Sequence, residues 1–590
     1  MREIVGETVV RRLVAWGVRR VFGLPGDGIN GLMEGFRRHR EEIEFVLVAH
    51  EEAAAFMATA HAKVTGELGV CVATSGPGAI HLLNGLYDAK LDRMPVLAIT
   101  GTQATEVLGS EYQQEVHVDH LYQDVAGYNL MVTNPRQVPG VIDLAVRHAM
   151  ARRTVAHLTF PNDLQVAPSD ADPYRHVGPG GPVASAPILP GPTVSAPDPA
   201  DLDRAAEVLA AGRKIVVLAG IGARDAGPEL LGIAEVLGAP IVKTLSGKAV
   251  VPDDHPLTTG GIGLLGTKPS ERAMQDCDTL LMVGTSFPYS THLPAPGQAQ
   301  VVQIDRDPAL IGMRLPVQVP LVGDSRKVLE LLQSRLDRHD DRAFLTERQR
   351  EMTAWRSDMR ALEDAGRSPI APQYVIGCLN EAADDRAILT CDSGTIATWA
   401  ARHWTVRGER EFYLSGNLAT MAPGLPYAIA AQFAHPGRQV IAYVGDGGFA
   451  MLMAEFLTAV RYRLPITVVI NNNNGFGQIL WEQLVLGYPE YAVRNAEPAA
   501  DFAAWARGCG AYAQHVSEAD QVRPAIDAAL AHPGPALVDV QVNPNEPPLP
   551  GKLEFSQAKG FLHAMVHGQP HRAATVATIA RDKVSQILHG

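Results

Sequence analysis

The chain has 590 residues, 46% of them hydrophobic and 19% charged, the composition of a globular protein too long for a single core. A net charge of −13, with no basic stretch interleaved with aromatics, argues against a nucleic-acid partner. The five cysteines, Cys71, Cys277, Cys378, Cys391 and Cys509, are scattered without CxxC spacing, which excludes a disulfide framework or a zinc site as the organising device.

Residues 1–20 carry charges throughout and read as an amphipathic helix, not a signal peptide. No apolar run approaches the ~20 residues of a membrane span, so a cytoplasmic protein is expected. A first domain is expected over 1–172. Apolar strands at 21–24, 45–48, 69–74 and 95–100 alternate with helical stretches, the pattern of a parallel α/β sheet. The first strand runs into Pro25-Gly26-Asp27-Gly28, which no asparagine pair follows; it reads as a turn before a helix. The second runs into His50-Glu51-Glu52 and an alanine-rich helix. Two acids there are what a helix N-terminus selects by itself, and read alone they need no function.

Residues 173–200 are crowded with Pro, Gly, Ala and Ser and read as a linker. The second domain, 201–335, has strands at 214–218, 240–244, 279–283 and 300–304. Gly220-Ile221-Gly222 after the first of them is a weak nucleotide signal. The loops Gly263-Leu264-Leu265-Gly266 and Gly284 to Tyr289 either cradle a dinucleotide or close the sheet, and spacing does not choose between these. Residues 328–362 are charged and helical in pattern, with 336–371 as a helical connector.

The third domain is expected over 372–542, with strands at 387–391, 440–444, 466–470 and 536–540. The apolar run 440–444 ends in Gly445-Asp446-Gly447. A helix over 451–462 and a strand over 466–470 then deliver Asn472 and Asn473. This unit places a carboxylate and an amide at the carboxyl edge of a parallel sheet, where doubly wound folds bind ligands. Gly447 and Gly448 let backbone N–H groups approach an anion at a helix N-terminus. An Asp, an Asn and a backbone carbonyl form a hard-oxygen set that suits Mg²⁺. The unit reads as a metal-bridged diphosphate site, flanked by Asp392 to Thr395 and Gly416 to Met421. The tail, 543–590, opens Pro-rich and ends in a helix whose Val576, Ala580, Val584 and Ile587 share one face. Such a stripe packs on a core or a partner chain more readily than on lipid.

Gly445-Asp446-Gly447 with its asparagine pair, taken with His50-Glu51, resembles the thiamin diphosphate enzymes of the pyruvate oxidase and acetohydroxyacid synthase group. The resemblance covers nearly the whole chain and is strongest to bacterial pyruvate:quinone oxidoreductases. It is carried by Gly445 to Phe449 with Met451-Leu452-Met453, by Gly23 to Gly28, by Thr285 with Phe287-Pro288-Tyr289, and by Gln557-Ala558-Lys559-Gly560-Phe561. It implies an α/β chain of three doubly wound parallel-sheet domains (pyrimidine-binding, FAD-type and diphosphate-binding) with a C-terminal helical tail. Asp446, Asn473 and the Gly475 carbonyl would bind Mg²⁺, and Gly447 and Gly448 the diphosphate. Met421 would support the bent cofactor, Ala419 and Thr420 would line its aminopyrimidine, and Glu51 would hydrogen-bond that ring. FAD would lie on Gly263, Leu264, Leu265, Gly266, Ser286, Phe287, Pro288, Tyr289 and Ser290.

The same resemblance implies decarboxylation of pyruvate or a related 2-oxo acid, with electrons passing through FAD to quinone or oxygen. The alternative is an acetolactate synthase-like carboligase or a non-oxidative decarboxylase. Glu51 and the metal site would come from different subunits, making a homodimer the minimum and a homotetramer the common form. The tail would offer a peripheral contact to quinone or to the inner face of the membrane. Three departures stand out. The relatives' Phe-Gln pair beside the substrate reads Gln113-Gln114, which makes Gln114 a catalytic candidate. An aromatic residue that gates electron transfer is replaced by Gln478, and two flavin-side arginines by Ser246 and Ser290.

Overall fold

The computed structural model describes residues 3–169, 176–178, 181–183, 186–188, 194–495, 498–548 and 555–589. Its frame is three six-stranded parallel sheets with flanking helices. In spatial order the first contains Glu44–Leu47, Arg20–Gly23, Gly69–Ala73, Val96–Thr102, Val155–Pro161 and Ala126–Met131. The third contains Glu411–Tyr413, Ile388–Cys391, Val440–Gly445, Ile466–Asn472, Ala536–Gln541 and Tyr512–Val516. By chain rank both run 2-1-3-4-6-5. The middle sheet is Thr258–Gly261, Ile241–Lys243, Ile215–Ala219, Thr279–Val283, Gln300–Asp305 and Val319–Val322. Its rank order, 3-2-1-4-5-6, is that of dinucleotide-binding sheets, with the switch point between its first and fourth strands.

The central strands are apolar and buried on both faces, as parallel strands sandwiched by helices must be. Six strands of the three parallel sheets have no counterpart in the sequence reading: Ala126–Met131, Val155–Pro161, Thr258–Gly261, Val319–Val322, Glu411–Tyr413 and Tyr512–Val516, and neither has the antiparallel pair His176–Gly178 and Gly181–Val183 in the expected linker. Of the six, all but Val155–Pro161 are edge strands, short and mixed in polarity because one side is open. Val155–Pro161 is interior, but its apolar run is broken by His157 and Thr159. His157 stacks on Tyr122 at 3.8 Å and bonds Asn129 at 2.7 Å, and burial pushes its pKa down to about 3. The charged run at 328–362 is two helices, Ser325–Gln333 and Ala343–Leu362.

The first and third sheets are joined by one core. Helix Glu51–Thr65 packs on helix Gly424–Ala434, alanine against alanine, and one cluster runs from Phe22 and Ala54 through Tyr427 to Val468. Small side chains bring the two backbones close. The cysteines are unpaired. Of the tail, Phe555–Val566 and Arg572–His589 are helices. Val576 and Ala580 face outward, and the side turned to the chain is Thr575, Thr578 and Asp582, with Ile579 half-buried against the Trp481 cluster. Within the chain the packed face is thus mainly polar, because it meets buried Arg367 and Glu546. The side chains of Val584 and Ile587 lie outside the described residues, as does residue 557 of the sequence match. Among the described residues no helix is long and apolar enough to cross a membrane.

Candidate active site

Strands Val440–Gly445 and Ile466–Asn472 pair in parallel, with Gly445 opposite Asn471. The chain therefore leaves both strands at the same level, and Asp446 meets Asn473. Asp446 is the first residue of helix Asp446–Leu452. The single helix expected over 451–462 is instead this helix, a tight turn Met453–Glu455 and a helix Phe456–Arg461. One end of the Asn473 amide lies 2.8 Å from the Gly475 carbonyl oxygen and 2.9 Å from Asp446 Oδ1. With the NH₂ group there, both acceptors are satisfied. With the amide oxygen there, three oxygens converge at the spacing of neighbouring ligands on an octahedral Mg²⁺, about 3 Å for metal–oxygen bonds of about 2.1 Å. The donor set fits a hard divalent cation. Burial raises the Asp446 carboxyl to about 6, against a hydrogen bond donated by Asn495.

The glycines beside Asp446 are held to that identity by space. A Cβ on Gly447 would lie 2.7 Å from the Phe476 ring and 3.4 Å from Met421, and one on Gly448 would lie 2.0 Å from Asp392 Oδ2. Asp392 is buried, its Oδ1 accepts from the Gly424 N–H at 2.7 Å, and its Oδ2 has no partner among the described residues. Burial raises it to about 7.

The loop carrying Ala419, Thr420 and Met421 is strained: Ala419 has φ 55 and Ala422 φ 79, a region that costs a non-glycine residue roughly 1–3 kcal/mol. Anchors at both ends hold it there. Asp392 grips the backbone after Met421. From the first domain, Asp92 accepts the N–H groups of Gly416 and Asn417, each at 2.9 Å, while bonded to buried Lys63 at 2.6 Å. Asn84 reaches Thr420 Oγ1 at 3.2 Å.

Glu51 is the first residue of helix Glu51–Thr65, whose N-cap is His50, and is 7% exposed. Its Oε2 is 2.9 Å from His81 Nδ1, and the His81 ring packs on His50 with centroids 4.5 Å apart. Gln114 also takes a left-handed conformation, φ 62, and accepts from Ser75 Oγ at 3.3 Å.

A cavity of 1470 Å³ joins the third domain to the second. Asp446, Gly447, Gly448, Asn473, Gly475, Ala419 and Met421 line it, and so do Gly263, Leu264, Leu265 and Ser286 to Tyr289. Gly266 and Ser290 stand behind the wall, Gly266 donating to the Gly263 carbonyl at 2.9 Å. Thr420, Gln114 and Glu51 do not line it. At the switch point of the middle sheet Gly222 donates to the Gly284 carbonyl at 3.0 Å, and a Cβ on Gly222 would lie 2.8 Å from Gly284 Cα. Such a bare backbone ledge, beside the Asp305 carboxylate, fits the diphosphate and ribose of a dinucleotide. Asp392, expected from the sequence only as a flanking loop residue, is part of the wall, and two further wall residues escape a sequence reading: Arg153 and Glu482. Glu482 sits one helical turn after Gln478 and bonds it at 3.1 Å, so the i,i+4 spacing was the available signal.

Comparison with known proteins gives a consistent result. Residues 4–122 match the N-terminal TPP binding domain of thiamine pyrophosphate enzymes, 202–332 their central domain, and 392–540 their C-terminal TPP binding domain. The chain is 42% identical over 561 residues to a putative thiamine pyrophosphate-containing protein of Bacillus subtilis, covering 95% of each chain. It is 32% identical over 558 residues to the pyruvate oxidase of Lactiplantibacillus plantarum, covering 94% of this chain and 91% of the relative. It is also 32% identical over 545 residues to the acetolactate synthase isozyme 2 large subunit of Escherichia coli, covering 91% of this chain and 95% of that one.

Proposed function

The chain belongs to the thiamine pyrophosphate enzymes of the pyruvate oxidase and acetolactate synthase group, and from that premise we propose that it oxidatively decarboxylates pyruvate or a related 2-oxo acid, with electrons leaving through FAD to quinone or oxygen. The observation that carries this reading is one cavity shared by the Asp446–Asn473–Gly475 oxygen cluster and the glycine ledge of a dinucleotide-type sheet. When bound, thiamin diphosphate supplies the electron sink for loss of CO₂, and FAD the two-electron acceptor. Asp446, Asn473 and the Gly475 carbonyl would hold Mg²⁺, and the N–H groups of Gly447 and Gly448 would bind the diphosphate. Met421, on its anchored loop, supports the cofactor, with Ala419 and Thr420 beside it. Gly263 to Leu265, Ser286 to Tyr289 and Arg153 would hold the flavin nucleotide, with Gly266 and Ser290 behind them.

Glu51 would hydrogen-bond the aminopyrimidine ring of the cofactor through Oε1, its Oε2 being the oxygen paired with His81. Because Glu51 does not line the cavity of its own chain, a second copy completes the centre, and a homodimer is the minimum unit. Gln113 and Gln478, each standing where the relatives carry an aromatic residue, would make the substrate side more polar than a pocket built for a methyl group.

A second reading, carboligation without net oxidation, is favoured by one observation: the two flavin-side positions are Ser246 and Ser290, and identity to an acetolactate synthase equals that to a pyruvate oxidase. The test is an ultraviolet–visible spectrum of the purified protein before and after anaerobic pyruvate. A flavin spectrum that bleaches supports the first reading. A flavin that stays oxidised, or a colourless protein, while acetolactate forms replaces it with the second.

A further inference from the structure

We propose that Asn495 is a positioning residue for the metal ligand Asp446 and thereby sets the affinity of the site for a divalent cation. This rests on reading Asp446, Asn473 and Gly475 as the metal site. The Asn495 amide Nδ2 donates to Asp446 Oδ2 at 2.6 Å, while Oδ1 of the same carboxylate is turned toward Asn473 and the Gly475 carbonyl. The two carboxylate oxygens are thus divided: one is held by a neutral donor, the other is presented to the cation.

Asn495 is delivered by a segment that braces the metal loop directly. Phe476 N–H donates to the Val493 carbonyl at 2.8 Å, and Asn495 N–H donates to the Asn474 carbonyl at 3.2 Å, with Gly475 opposite Arg494. The approach is so close that a Cβ on Gly475 would lie 2.4 Å from the Val493 oxygen. Arg494 pins the segment from the other side, bonding Glu490 at 2.8 Å, the Pro544 carbonyl at 3.2 Å and Asn545 at 3.3 Å. An amide suits this place because it donates without adding charge. A lysine or arginine there would repel the cation that Asp446 is to bind. Hydrogen bonds of this kind fix the direction of a ligating carboxylate, and their loss typically costs 10–100-fold in metal affinity.

The experiment is titration of the full chain with Mn²⁺ in the presence of thiamin diphosphate, followed by electron paramagnetic resonance, for the native protein, Asn495→Leu and Asn495→Ala. Urea unfolding of each metal-free protein is measured alongside. The expected result is Mn²⁺ binding weakened by about 10–100-fold in both variants, with metal-free unfolding midpoints close to native. Native-like Mn²⁺ affinity in either folded variant overturns the inference alone, and lowered midpoints with unchanged affinity reduce Asn495 to a structural role. Failure of the native protein itself to bind Mn²⁺ overturns the reading of the metal site as well.

Discussion

Glu455 is fully buried where the Met453–Glu455 turn meets the first domain. Its Oε1 accepts the N–H groups of Ala49 and His50 at 2.9 and 2.8 Å, and its Oε2 accepts the Thr458 hydroxyl at 2.8 Å. Burial raises its pKa from 4.5 to about 7. The folded state therefore binds the proton more tightly than the unfolded chain, so this group's contribution is complete below pH 4.5 and is lost as pH rises through about 7. A shift of that size corresponds to about 3 kcal/mol. Glu455→Gln keeps an acceptor for both N–H groups and removes the titration. Stability measured by urea unfolding should then fall less steeply between pH 4.5 and 7, and the variant should be at least as stable as the native protein at pH 8. Asp92 behaves in the opposite way. Asp92→Ala takes from buried Lys63 its nearer carboxylate, leaving Asp88 at 3.6 Å, and frees the strained loop at Gly416, so a loss of about 1.5–3 kcal/mol in unfolding free energy and weaker thiamin diphosphate binding are expected together. At the proposed cofactor contact, Glu51→Gln should lower turnover by roughly 10²–10⁴-fold, read in steady-state assays, with metal binding unchanged.

At the scale of elements, helix Gly477–Val485 is both a wall of the cavity and the seat of the tail. Gln478 and Glu482 face inward, while Leu480, Trp481 and Leu484 form a small core with Ala564 and Met565 of helix Phe555–Val566. Gly560 makes that seat possible, since a Cβ there would lie 2.0 Å from the Val485 carbonyl oxygen. Gly560→Ala should therefore unseat the helix despite the better helix propensity of alanine. The expected signs are faster limited proteolysis between the third sheet and the tail, and a stability loss of about 1–3 kcal/mol. The second tail helix is fixed differently, by Arg367 bridging Glu546 at 2.7 Å and Asp582 at 3.0 Å and by Asn543 reaching Thr578 at 3.2 Å. Periodicity alone marked Val576 and Ala580 as its packing face. The helix turns its polar side inward because a buried guanidinium, set by residues far away in sequence, needs carboxylates more than it needs apolar contact.

At the scale of the whole molecule, the first and third sheets share a strand order and a core, yet carry different halves of the proposed centre. If Glu51 of one copy serves the metal site of another, co-expressed Glu51→Gln and Asp446→Ala chains should recover activity, about a quarter of native on statistical pairing, because each mixed dimer regains one intact centre. Activity no higher than that of the separate parents would place both halves in one chain.

The sequence by itself determined the three α/β units and picked out the residues of the proposed metal-bridged diphosphate site. Both depend on local signals: apolar runs of strand length, and the Gly445-Asp446-Gly447 turn one helix and one strand before Asn473. Only the tertiary structure decided five of the six edge strands of the parallel sheets, whose open side relaxes the apolar pattern. It alone paired Asn495 with Asp446, Asp92 with the Gly416 backbone and Arg367 with Asp582. Those partners are chosen by burial, where a polar group without a partner is costly, and burial brings together residues whose spacing along the chain carries no period to read.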